Sequence, residues 1–530
     1  MKIKQWLSCL LALTSCAGLV SCTQKEGEMP DYSGYNHRFS YYAYNPPTKG
    51  LWSDLTNTQY SAGEDFRTVE QYKIYKDCGF DILMMQSTGN YWGQDWETSD
   101  TKMVMDRAYE AGIEKCIVTD SRIQLLSEGK VYVDENGKAS ITSSTRIDLT
   151  DTSKYETASL IGEGKPFASE AELDAYISAC MAPYRDYKNF YGVQLKDEPR
   201  KYHILPYGET YRAVKRVCPE AFIQWNLFQA HTDSDSKTEA VKKYEDICPA
   251  VEGTFENNDE KAFAMYEAYL DAFIDSTGSD YVMMDSYPLW GNGIRGSYIR
   301  NLQICAETAK EKQVDFAMVM QTHSTSRANG TVVFRSQDEE DIRWLNNMLL
   351  GFGTKQFVYY TYYAKGVDGS WMCGNEDSFI SRYGERTPLY YIMQKVMKEN
   401  QDFANVILNF DFVTSNVYSV APTYYSSDHI EMAKNGEAFQ KVEELTINKE
   451  CALATELYDK ENDRYMYMVQ NIVDPAYKGA KAYQTATVTF KKGYTHALVY
   501  VNGVPTKMKL EKNALTFKQY PGEAVFILPY

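Results

Sequence analysis

Eight continuous apolar runs, each of strand length, constrain the fold of this 530-residue chain more than any other feature of its sequence. Most runs are followed by a longer stretch in which apolar residues have helical spacing. Unbroken apolarity indicates strands buried on both faces, and intervening helices indicate parallel pairing. Eight such units in roughly 330 residues predict a (β/α)8 (TIM) barrel with insertions. The runs span residues 38–45, 80–87, 114–121, 190–197, 221–228, 280–287, 315–322 and 356–363.

The pattern changes near residue 400. Downstream, short apolar segments are separated by turn residues, which is typical of an antiparallel β-sandwich. We therefore predict a catalytic barrel over residues 37–400 and a C-terminal β-sandwich over residues 401–530. The longest insertion, residues 121–168, contains a predicted hairpin with an Asn136-Gly137 turn. Insertions that follow barrel strands lie on the catalytic face, so this one is predicted to form a wall of the cleft.

The first residues have the layout of an export signal. Lys2 and Lys4 precede an apolar stretch that ends in small residues, so residues 1–21 are predicted to be a signal peptide rather than part of the fold. The sequence LVSC at 19–22 resembles the lipobox of bacterial lipoproteins, which implies lipidation of Cys22; a plain secretory signal is the alternative. The polar tether over residues 22–36 resembles that of Bacteroides-type surface lipoproteins. This resemblance implies a lipid anchor in the outer membrane and a protein that faces the cell exterior.

The net charge and the spacing of metal-binding residue types exclude several classes of partner. A formal charge of −17 argues against nucleic acid as a partner. The 11 cysteines include no Cys-x-x-Cys pair after the signal, and no set of histidines and acids has metal-ligand spacing. No phosphate-binding loop or dinucleotide fingerprint follows a strand. We predict that the protein uses no metal and no cofactor.

Aromatic and amide side chains recur where the predicted strands end, and active sites of such barrels lie at the carboxyl ends of the strands. Sugar rings stack their C–H faces on aromatic rings, and their hydroxyls pair with amides and carboxylates. A single aromatic residue is as easily explained by packing, but aromatics at seven of the eight strand ends favour a sugar site. The candidate substrate-binding residues are Tyr44, Trp92, Asn226, Tyr287, Trp290, Gln321, His323 and Tyr360.

The fourth run ends on two adjacent carboxylates, in the sequence Asp197-Glu198-Pro199. Burying such a pair is costly unless the carboxylates are hydrogen-bonded or face a cleft, so function is the simpler explanation. The alternative is a surface strand end that Lys196 neutralises. At this motif the chain resembles the large group of (β/α)8 glycoside hydrolases whose fourth strand ends in Asn-Glu-Pro or a related acidic pair. The resemblance implies that Glu198 is the general acid, with a pKa raised toward neutrality.

Two differences from that group leave the identity of the second carboxylate open. Asp197 stands where the group carries asparagine, and the seventh run ends in Gln321-Thr322, near the position where retaining members carry a nucleophilic glutamate. Asp285, in the sixth run, is the first candidate, either as the base of an inverting mechanism or as a nucleophile. Asp120, at the end of the third run, is the next candidate.

The adjacent pair itself offers a third solution. Hydrolases of N-acetylhexosaminides often place neighbouring acids at the end of the fourth strand, where one acid orients the substrate's own acetamido group as the nucleophile. By that resemblance Asp197 orients the acetamido group, Glu198 protonates the leaving group and Tyr287 assists.

These observations predict a surface lipoprotein that hydrolyses glycosidic bonds in a glycan. The competing hypothesis is a glycan-binding lipoprotein that keeps the barrel as a scaffold and has no catalytic activity. The two differ in what they require of Glu198, because only a hydrolase needs its carboxyl group.

Overall fold

A computed structural model describes ten ranges of the chain. They are residues 27–52, 61–151, 153–154, 156–232, 240–326, 330–363, 378–381, 383–420, 432–477 and 483–530. The predicted signal peptide, Cys22 and the first residues of the tether lie outside the described residues.

The helices and strands alternate through the first three-quarters of the described chain. The helices are α1 (Val69–Cys78), α2 (Asp100–Glu110), α3 (Ser121–Ser127), α4 (Glu170–Met181), α5 (Ile204–Val217), α6 (Ala240–Ile247), α7 (Asn258–Thr277), α8 (Tyr298–Lys312), α9 (Glu339–Gly351) and α10 (Pro388–Ile407). The strands that precede α10 are β1 (Tyr41–Ala43), β2 (Lys49–Trp52), β3 (Ser61–Asp65), β4 (Ile82–Met84), β5 (Lys115–Val118), β6 (Lys130–Val133), β7 (Thr145–Asp148), β8 (Phe190–Asp197), β9 (Phe222–Asn226), β10 (Tyr281–Ser286), β11 (Leu289–Trp290), β12 (Gly293–Ile294), β13 (Asp315–Gln321), β14 (Thr325–Ser326), β15 (Val332–Phe334) and β16 (Gln356–Tyr360).

A strand occurs within each of the eight predicted apolar runs. These strands form two four-stranded parallel sheets, with the orders β1-β16-β13-β10 and β4-β5-β8-β9. The sheets meet at both edges: Leu227, just after β9, pairs with Met284 of β10, and Asp81, just before β4, donates its backbone N–H to the Tyr41 carbonyl at 3.3 Å. The residues that end these strands therefore share one face of the molecule. We call it the catalytic face, because the sequence analysis predicts the active site there.

The helices begin where the sequence places capping residues. The Ser169 side chain accepts a hydrogen bond from the backbone N–H of Glu172 at the start of α4. Asp338 and Asp341 form a reciprocal capping box at the start of α9. These bonds satisfy N–H groups that the first turn of a helix leaves without partners.

The insertion over residues 121–168 contains α3 and an antiparallel hairpin of β6 and β7. The predicted turn at Asn136-Gly137 lies in its connection, where Gly137 adopts a left-handed φ of 76°. Without a Cβ atom, glycine enters this region at no steric cost.

Several short strands had no counterpart in the predictions. β11, β12, β14 and β15 form an antiparallel sheet in the order β12-β11-β15-β14, beyond the carboxyl ends of β10 and β13. Strands of two or three residues are too short to show a periodic pattern, so sequence patterning misses them. This sheet, which we call the cap sheet, carries Trp290 and Phe334 on the catalytic face.

The C-terminal region is entirely antiparallel. Its strands are β17 (Asp411–Val420), β18 (Val442–Ile447), β19 (Glu450–Asp459), β20 (Arg464–Asn471), β21 (Gln484–Phe490), β22 (His496–Val501), β23 (Val504–Lys509), β24 (Ala514–Gln519) and β25 (Ala524–Pro529). They form one sheet in the order β17-β19-β20-β25-β22-β23 and a second in the order β18-β21-β24. Both sheets contribute to one cluster of buried apolar residues, including Val488 and Ile527. The predicted boundary at residue 400 falls inside α10, and the first strand of this region begins at Asp411.

Two further properties of the described residues bear on the predictions. No helix among them combines the length and apolarity needed to cross a bilayer. The seven cysteines within the described ranges form no disulfide with one another, and six of them are buried.

Candidate active site

The adjacent acids Asp197 and Glu198 lie at the carboxyl end of β8, where its pairing with β9 is irregular. The register between the two strands shifts between Gln194 and Asp197, and the backbone N–H of Glu198 bonds to the Asn226 carbonyl at 3.0 Å. Such bulges redirect side chains and are frequent beside active sites. The bulge allows two consecutive side chains to serve the same site, although neighbours in a regular strand point to opposite faces.

Glu198 has a left-handed backbone conformation, with a φ of 48°. This region is unfavourable for a residue with a Cβ atom, and such residues cluster at functional sites. Asn45 and Ser87, which follow β1 and β4, also have positive φ values, of 49° and 63°. Strain therefore recurs where strands end on the catalytic face.

Two side chains hold Asp197 in place, one from the residue that follows β1 and one from the end of the neighbouring strand β9. The Tyr44 hydroxyl donates to Oδ1 of Asp197 at 2.8 Å, and the Asn226 amide donates to the same oxygen at 3.1 Å. Gln224 in turn donates to the Tyr44 hydroxyl at 3.2 Å. Because both donors use Oδ1, the Oδ2 atom of Asp197 remains available to another donor.

Asp285, in β10, is the third carboxylate of the cluster. Its side chain is buried and lies close to the carboxyl of Glu198, the amide of Asn226 and the hydroxyl of Tyr287. Its Oδ1 atom has no hydrogen-bond partner of good geometry among the described residues. A buried carboxylate oxygen without a partner is costly, so this atom is a candidate contact for a substrate.

Burial raises the pKa of all three carboxyl groups. For Glu198 the neighbouring charges of Asp285 and Asp197 add to the effect of burial and raise the pKa to about 10. For Asp285, burial and the charge of Asp197 raise the pKa to about 7. The pKa of Asp197 is also raised by burial, against the opposing effect of the hydrogen bonds from Tyr44 and Asn226. Carboxyl groups this close cannot all ionise, so the cluster retains a proton at neutral pH, and Glu198 holds it in preference to Asp285.

Aromatic rings line one side of the cluster. Tyr287 contacts the ring of His323 with centroids 5.0 Å apart and that of Tyr360 with centroids 5.4 Å apart. Phe334 lies 5.0 Å from His323, and Tyr44 lies 5.9 Å from Tyr360, between ring centroids. We call this set of Tyr44, Tyr287, His323, Phe334 and Tyr360 the aromatic wall. It gives the site an apolar surface suited to the C–H face of a sugar.

His323 is held as a neutral ring within the aromatic wall. Its Nδ1 atom lies 2.9 Å from the Tyr360 carbonyl, which can only accept, so Nδ1 carries the proton. Burial lowers the pKa of His323 to about 4, so the ring stays uncharged at neutral pH. His323 therefore packs as an uncharged ring against the other members of the aromatic wall.

Two of the predicted substrate-binding residues have structural contacts in the cap sheet. The side-chain amide of Gln321 bonds to the backbone N–H and carbonyl of Leu289, at 2.9 and 3.2 Å. Trp290 donates its indole N–H to the Tyr287 carbonyl at 3.0 Å. Both therefore connect the cap sheet to the strand ends. Trp290 is half-buried, and the guanidinium group of Arg295 lies over its ring, 5.5 Å from the centroid.

Asp120 and Trp92 lie outside the group of contacts around the three carboxylates. Both oxygens of Asp120 accept from Arg122, at 3.0 and 2.7 Å, and Tyr184 donates to Oδ2 at 2.9 Å. Asp120 also caps α3 through its bond from the Arg122 backbone N–H. With its oxygens occupied, Asp120 is a structural anion, whereas Asp285 faces Glu198. Trp92 is exposed to solvent near the third strand end.

Sequence patterning missed Gln224 and Phe334 as members of the site. Gln224 precedes Asn226 by two positions in the same strand, so the alternation of side chains places both on one face and could have identified it. Phe334 has no such signal, because its position depends on the pairing of the cap sheet.

Comparison with known proteins gives structural neighbours only. No known family profile matches the sequence, and no curated protein matches it. The chain is similar to the α-amylase of Geobacillus thermoleovorans complexed with acarbose, with 12% identity, 93% of this chain and 98% of that chain covered, and a TM-score of 0.47. It is also similar to a glycoside hydrolase family 5 protein of Bacteroides vulgatus, with 10% identity, 93% and 89% covered, and a TM-score of 0.45. A GH27 β-L-arabinopyranosidase of Geobacillus stearothermophilus has 9% identity, 94% and 97% covered, and a TM-score of 0.46. These neighbours are glycoside hydrolases, but similarity at this level assigns neither a family nor an activity.

Proposed function

We propose that the protein is a glycoside hydrolase in which the eight parallel strands form a (β/α)8 barrel, with the C-terminal sheets packed on it as a β-sandwich. The observation that carries the proposal is the cluster of Asp197, Glu198 and Asp285 beside the aromatic wall. Asp285 is buried and the other two acids are half-buried, so three carboxyl groups this close together destabilise the fold. The arrangement matches the acid pair that glycosidic cleavage requires.

In this proposal Glu198 is the general acid. Its raised pKa keeps it protonated at neutral pH, so that it can donate a proton to the glycosidic oxygen as the bond breaks. Once it has lost this proton, Glu198 can accept one from the water that completes hydrolysis.

Asp285 is the second carboxylate. Inverting enzymes separate their two carboxyl groups by about 6.5–9.5 Å to admit a water molecule, whereas retaining enzymes hold them about 5–5.5 Å apart. Glu198 and Asp285 act on each other at close range. This favours retention, with Asp285 attacking the anomeric carbon and forming a glycosyl ester that water then cleaves.

A second mechanism uses Asp197 with substrates that carry an acetamido group. Tyr44 and Asn226 both donate to Oδ1, so Oδ2 can accept the N–H of an acetamido group and direct its carbonyl oxygen to the anomeric carbon. Tyr287, beside Asp285, assists in this mechanism. It also gives retention, but it leaves Asp285 without a covalent role.

The test compares three carboxamide variants on a broad glycan panel. Glu198→Gln is expected to lower kcat by about 100- to 10,000-fold while glycan binding persists. If Asp285 is the nucleophile, Asp285→Asn abolishes turnover on every substrate. If the substrate's acetamido group is the nucleophile, Asp197→Asn lowers turnover more than Asp285→Asn does, and the wild type cleaves only N-acetylated substrates. NMR of the first product reports the anomeric configuration, and inversion contradicts both mechanisms.

The competing hypothesis, a glycan-binding protein without activity, makes a different prediction for the same experiment. The wild-type protein then releases no sugar from any glycan, and Glu198→Gln binds as tightly as the wild type. Observation of both would refute the proposed hydrolase.

We also propose that Cys22 is lipidated and anchors the protein in the outer membrane, facing the exterior. Support comes from the LVSC sequence at 19–22 and the polar tether that follows. Replacement of Cys22 by alanine is expected to abolish labelling by a palmitate analogue and to release the protein from the membrane fraction. Protease treatment of intact cells tests which side it faces.

A further inference from the structure

A second concave site lies on the catalytic face, beside the third strand end. It is a pocket of about 550 Å³ that opens where strands β4 and β5 end. Another pocket, of about 630 Å³, lies away from this face, between α9 and the C-terminal sheets. The lining of the first pocket comprises Trp92, Gln94, Arg122, Tyr132 and residues 141–144, together with Gly93. We call it the rim pocket. Its size is in the range of small-ligand sites.

The predicted wall of the cleft forms one side of the rim pocket. Tyr132 belongs to β6, and residues 141–144 belong to the connection between β6 and β7. The opposite side is the segment that follows β4, with Trp92. The insertion therefore creates a second concave site on the catalytic face.

Trp92 offers an unoccupied stacking surface. Its side chain is 58% exposed, although tryptophan is ordinarily largely buried. Its indole ring forms no aromatic pair with another ring in the described part of the chain. An exposed tryptophan at the edge of a pocket is a platform for an apolar ligand face.

Arg122 supplies hydrogen-bond donors that the described residues leave unused. The residue is only 5% exposed, and its Nε and Nη2 atoms are occupied by Asp120 and the Cys180 carbonyl. No hydrogen bond from Nη1 is present among the described residues. This atom lies beside Gly93, where an added Cβ would stand 2.9 Å away, so a glycine keeps the edge of the guanidinium group open.

The lining of the rim pocket offers a ligand no uncompensated charge. Arg122 is the charged residue of the lining, and its ion pair with Asp120, at 2.7 Å, neutralises it. The other polar contributions are hydroxyl and amide groups. This combination of a platform, neutral donors and hydroxyls suits a neutral sugar ring.

We propose that the rim pocket is a remote subsite for a neutral sugar unit, so that the substrate is an extended neutral oligosaccharide and not a single glycoside. The inference rests on the proposed function, because it assigns the rim pocket to the same substrate that the carboxylate cluster cleaves. In the bound state the sugar stacks on Trp92, and one of its hydroxyls accepts a hydrogen bond from Nη1 of Arg122.

The experiment measures binding and turnover in parallel. The probes are a graded series of neutral oligosaccharides and the p-nitrophenyl glycosides of the same monosaccharides. Binding to Trp92→Ala and Trp92→Phe is measured by calorimetry in the Glu198→Gln background, and turnover is measured in the otherwise wild-type protein. Tyr391→Ala, at a 54% exposed tyrosine of α10, is the matched control.

We expect Trp92→Ala to weaken binding of the longer oligosaccharides by about tenfold or more, and Trp92→Phe to restore most of it. The ratio of kcat/KM for oligosaccharide to that for p-nitrophenyl glycoside should fall by a similar factor. Tyr391→Ala should change neither quantity.

The subsite would be overturned if Trp92→Ala lowered kcat/KM equally for oligosaccharides and p-nitrophenyl glycosides. Oligosaccharide binding that does not depend on Trp92 would also overturn it. So would the absence of binding to any probe. Binding that depends on Trp92 in a wild-type protein without turnover would instead refute the hydrolase and leave the subsite intact.

Discussion

At the scale of single residues, Glu198 combines two unfavourable features in one position. Its backbone is left-handed, and its carboxyl group lies beside two other buried acids. Neither feature benefits the fold, so each is better explained by the chemistry of the site. Proteins commonly give up stability at the residues that carry their activity.

The first prediction concerns the stability of Glu198→Gln as a function of pH. The pKa of Glu198 is raised from 4.5 to about 10 in the folded protein, so the folded state binds more protons than the unfolded state between these values. The free energy of unfolding of the wild type therefore falls as pH rises through this window. Glutamine does not ionise, so the free energy of unfolding of the variant does not fall in this way as pH rises. The variant should be more stable than the wild type by about 1–3 kcal/mol at pH 8, with little difference near pH 4.5.

Chemical denaturation of both proteins across this pH range measures the effect. Glu110→Gln, at an exposed position of α2, is the control and should follow the wild type. A difference between Glu198→Gln and the wild type that shrinks as pH rises would contradict the raised pKa.

At the scale of elements, the cap sheet connects the catalytic face to the C-terminal region. Arg335, directly after β15, bonds to both oxygens of Asp474 at 2.6 and 3.1 Å and to Asp341 of α9 at 2.7 Å. Its backbone N–H bonds to the Leu289 carbonyl at 3.1 Å. The strand before it carries Phe334, which contacts His323 in the aromatic wall. One ion-paired residue therefore links three parts of the molecule.

The second prediction is that Asp474→Asn destabilises the protein and disturbs the site. Loss of one charge leaves the half-buried Arg335 with Asp341 as its remaining acidic partner, which should cost about 1.5–3 kcal/mol. In the proposed hydrolase Phe334 contributes to the sugar-binding surface and is not one of the three carboxylates, so its displacement should raise KM more than it lowers kcat. Denaturation and steady-state kinetics provide the two measurements.

Asp271→Asn is the matched control, since this aspartate forms an exposed ion pair with Lys312 at 3.5 Å. Exposed pairs contribute about 1 kcal/mol or less. If both variants lose equal stability, Arg335 and Asp474 do not act as a buried link.

At the scale of the whole molecule, the six-stranded C-terminal sheet and the parallel strands share a continuous apolar core. Residues of β19, β20 and β25, among them Leu453, Met468 and Phe526, belong to the same buried cluster as the parallel strands. Gln470 donates to the Trp344 carbonyl at 2.8 Å, and Asn347 donates to the Gly522 carbonyl at 3.1 Å. The C-terminal region thus completes the burial of α9.

The third prediction is that the two regions unfold together. Differential scanning calorimetry of the chain from residue 23 should show one transition, with equal calorimetric and van't Hoff enthalpies. A chain that ends at residue 410 should be insoluble, because the apolar surface of α9 and α10 is then exposed. Two separate transitions, or a soluble and active truncated chain, would show that the regions are independent.

Much of the framework could be predicted because it depends on local patterns. Continuous apolarity identified all eight parallel strands, and local capping residues mark where α4 and α9 begin in the structure. The cap sheet escaped the predictions, since antiparallel strands of two or three residues depend on partners that are distant in the chain. Asp197 and Glu198 were recognisable because two acids at the end of a buried strand contradict the local pattern.

Local sequence patterns specified the eight parallel strands and the acid pair that stands out from the surrounding apolar run, because apolar periodicity and burial costs act over a few residues. Only the tertiary structure decided which carboxylate accompanies that pair. Asp120 and Asp285 lie near strand ends of equivalent pattern, yet one is neutralised by Arg122 and the other faces Glu198. The same holds for the rim pocket, which requires the insertion to fold back against Trp92. The physical reason is that contacts between strand ends depend on sheet register and on side-chain direction, and neither is encoded in any single segment.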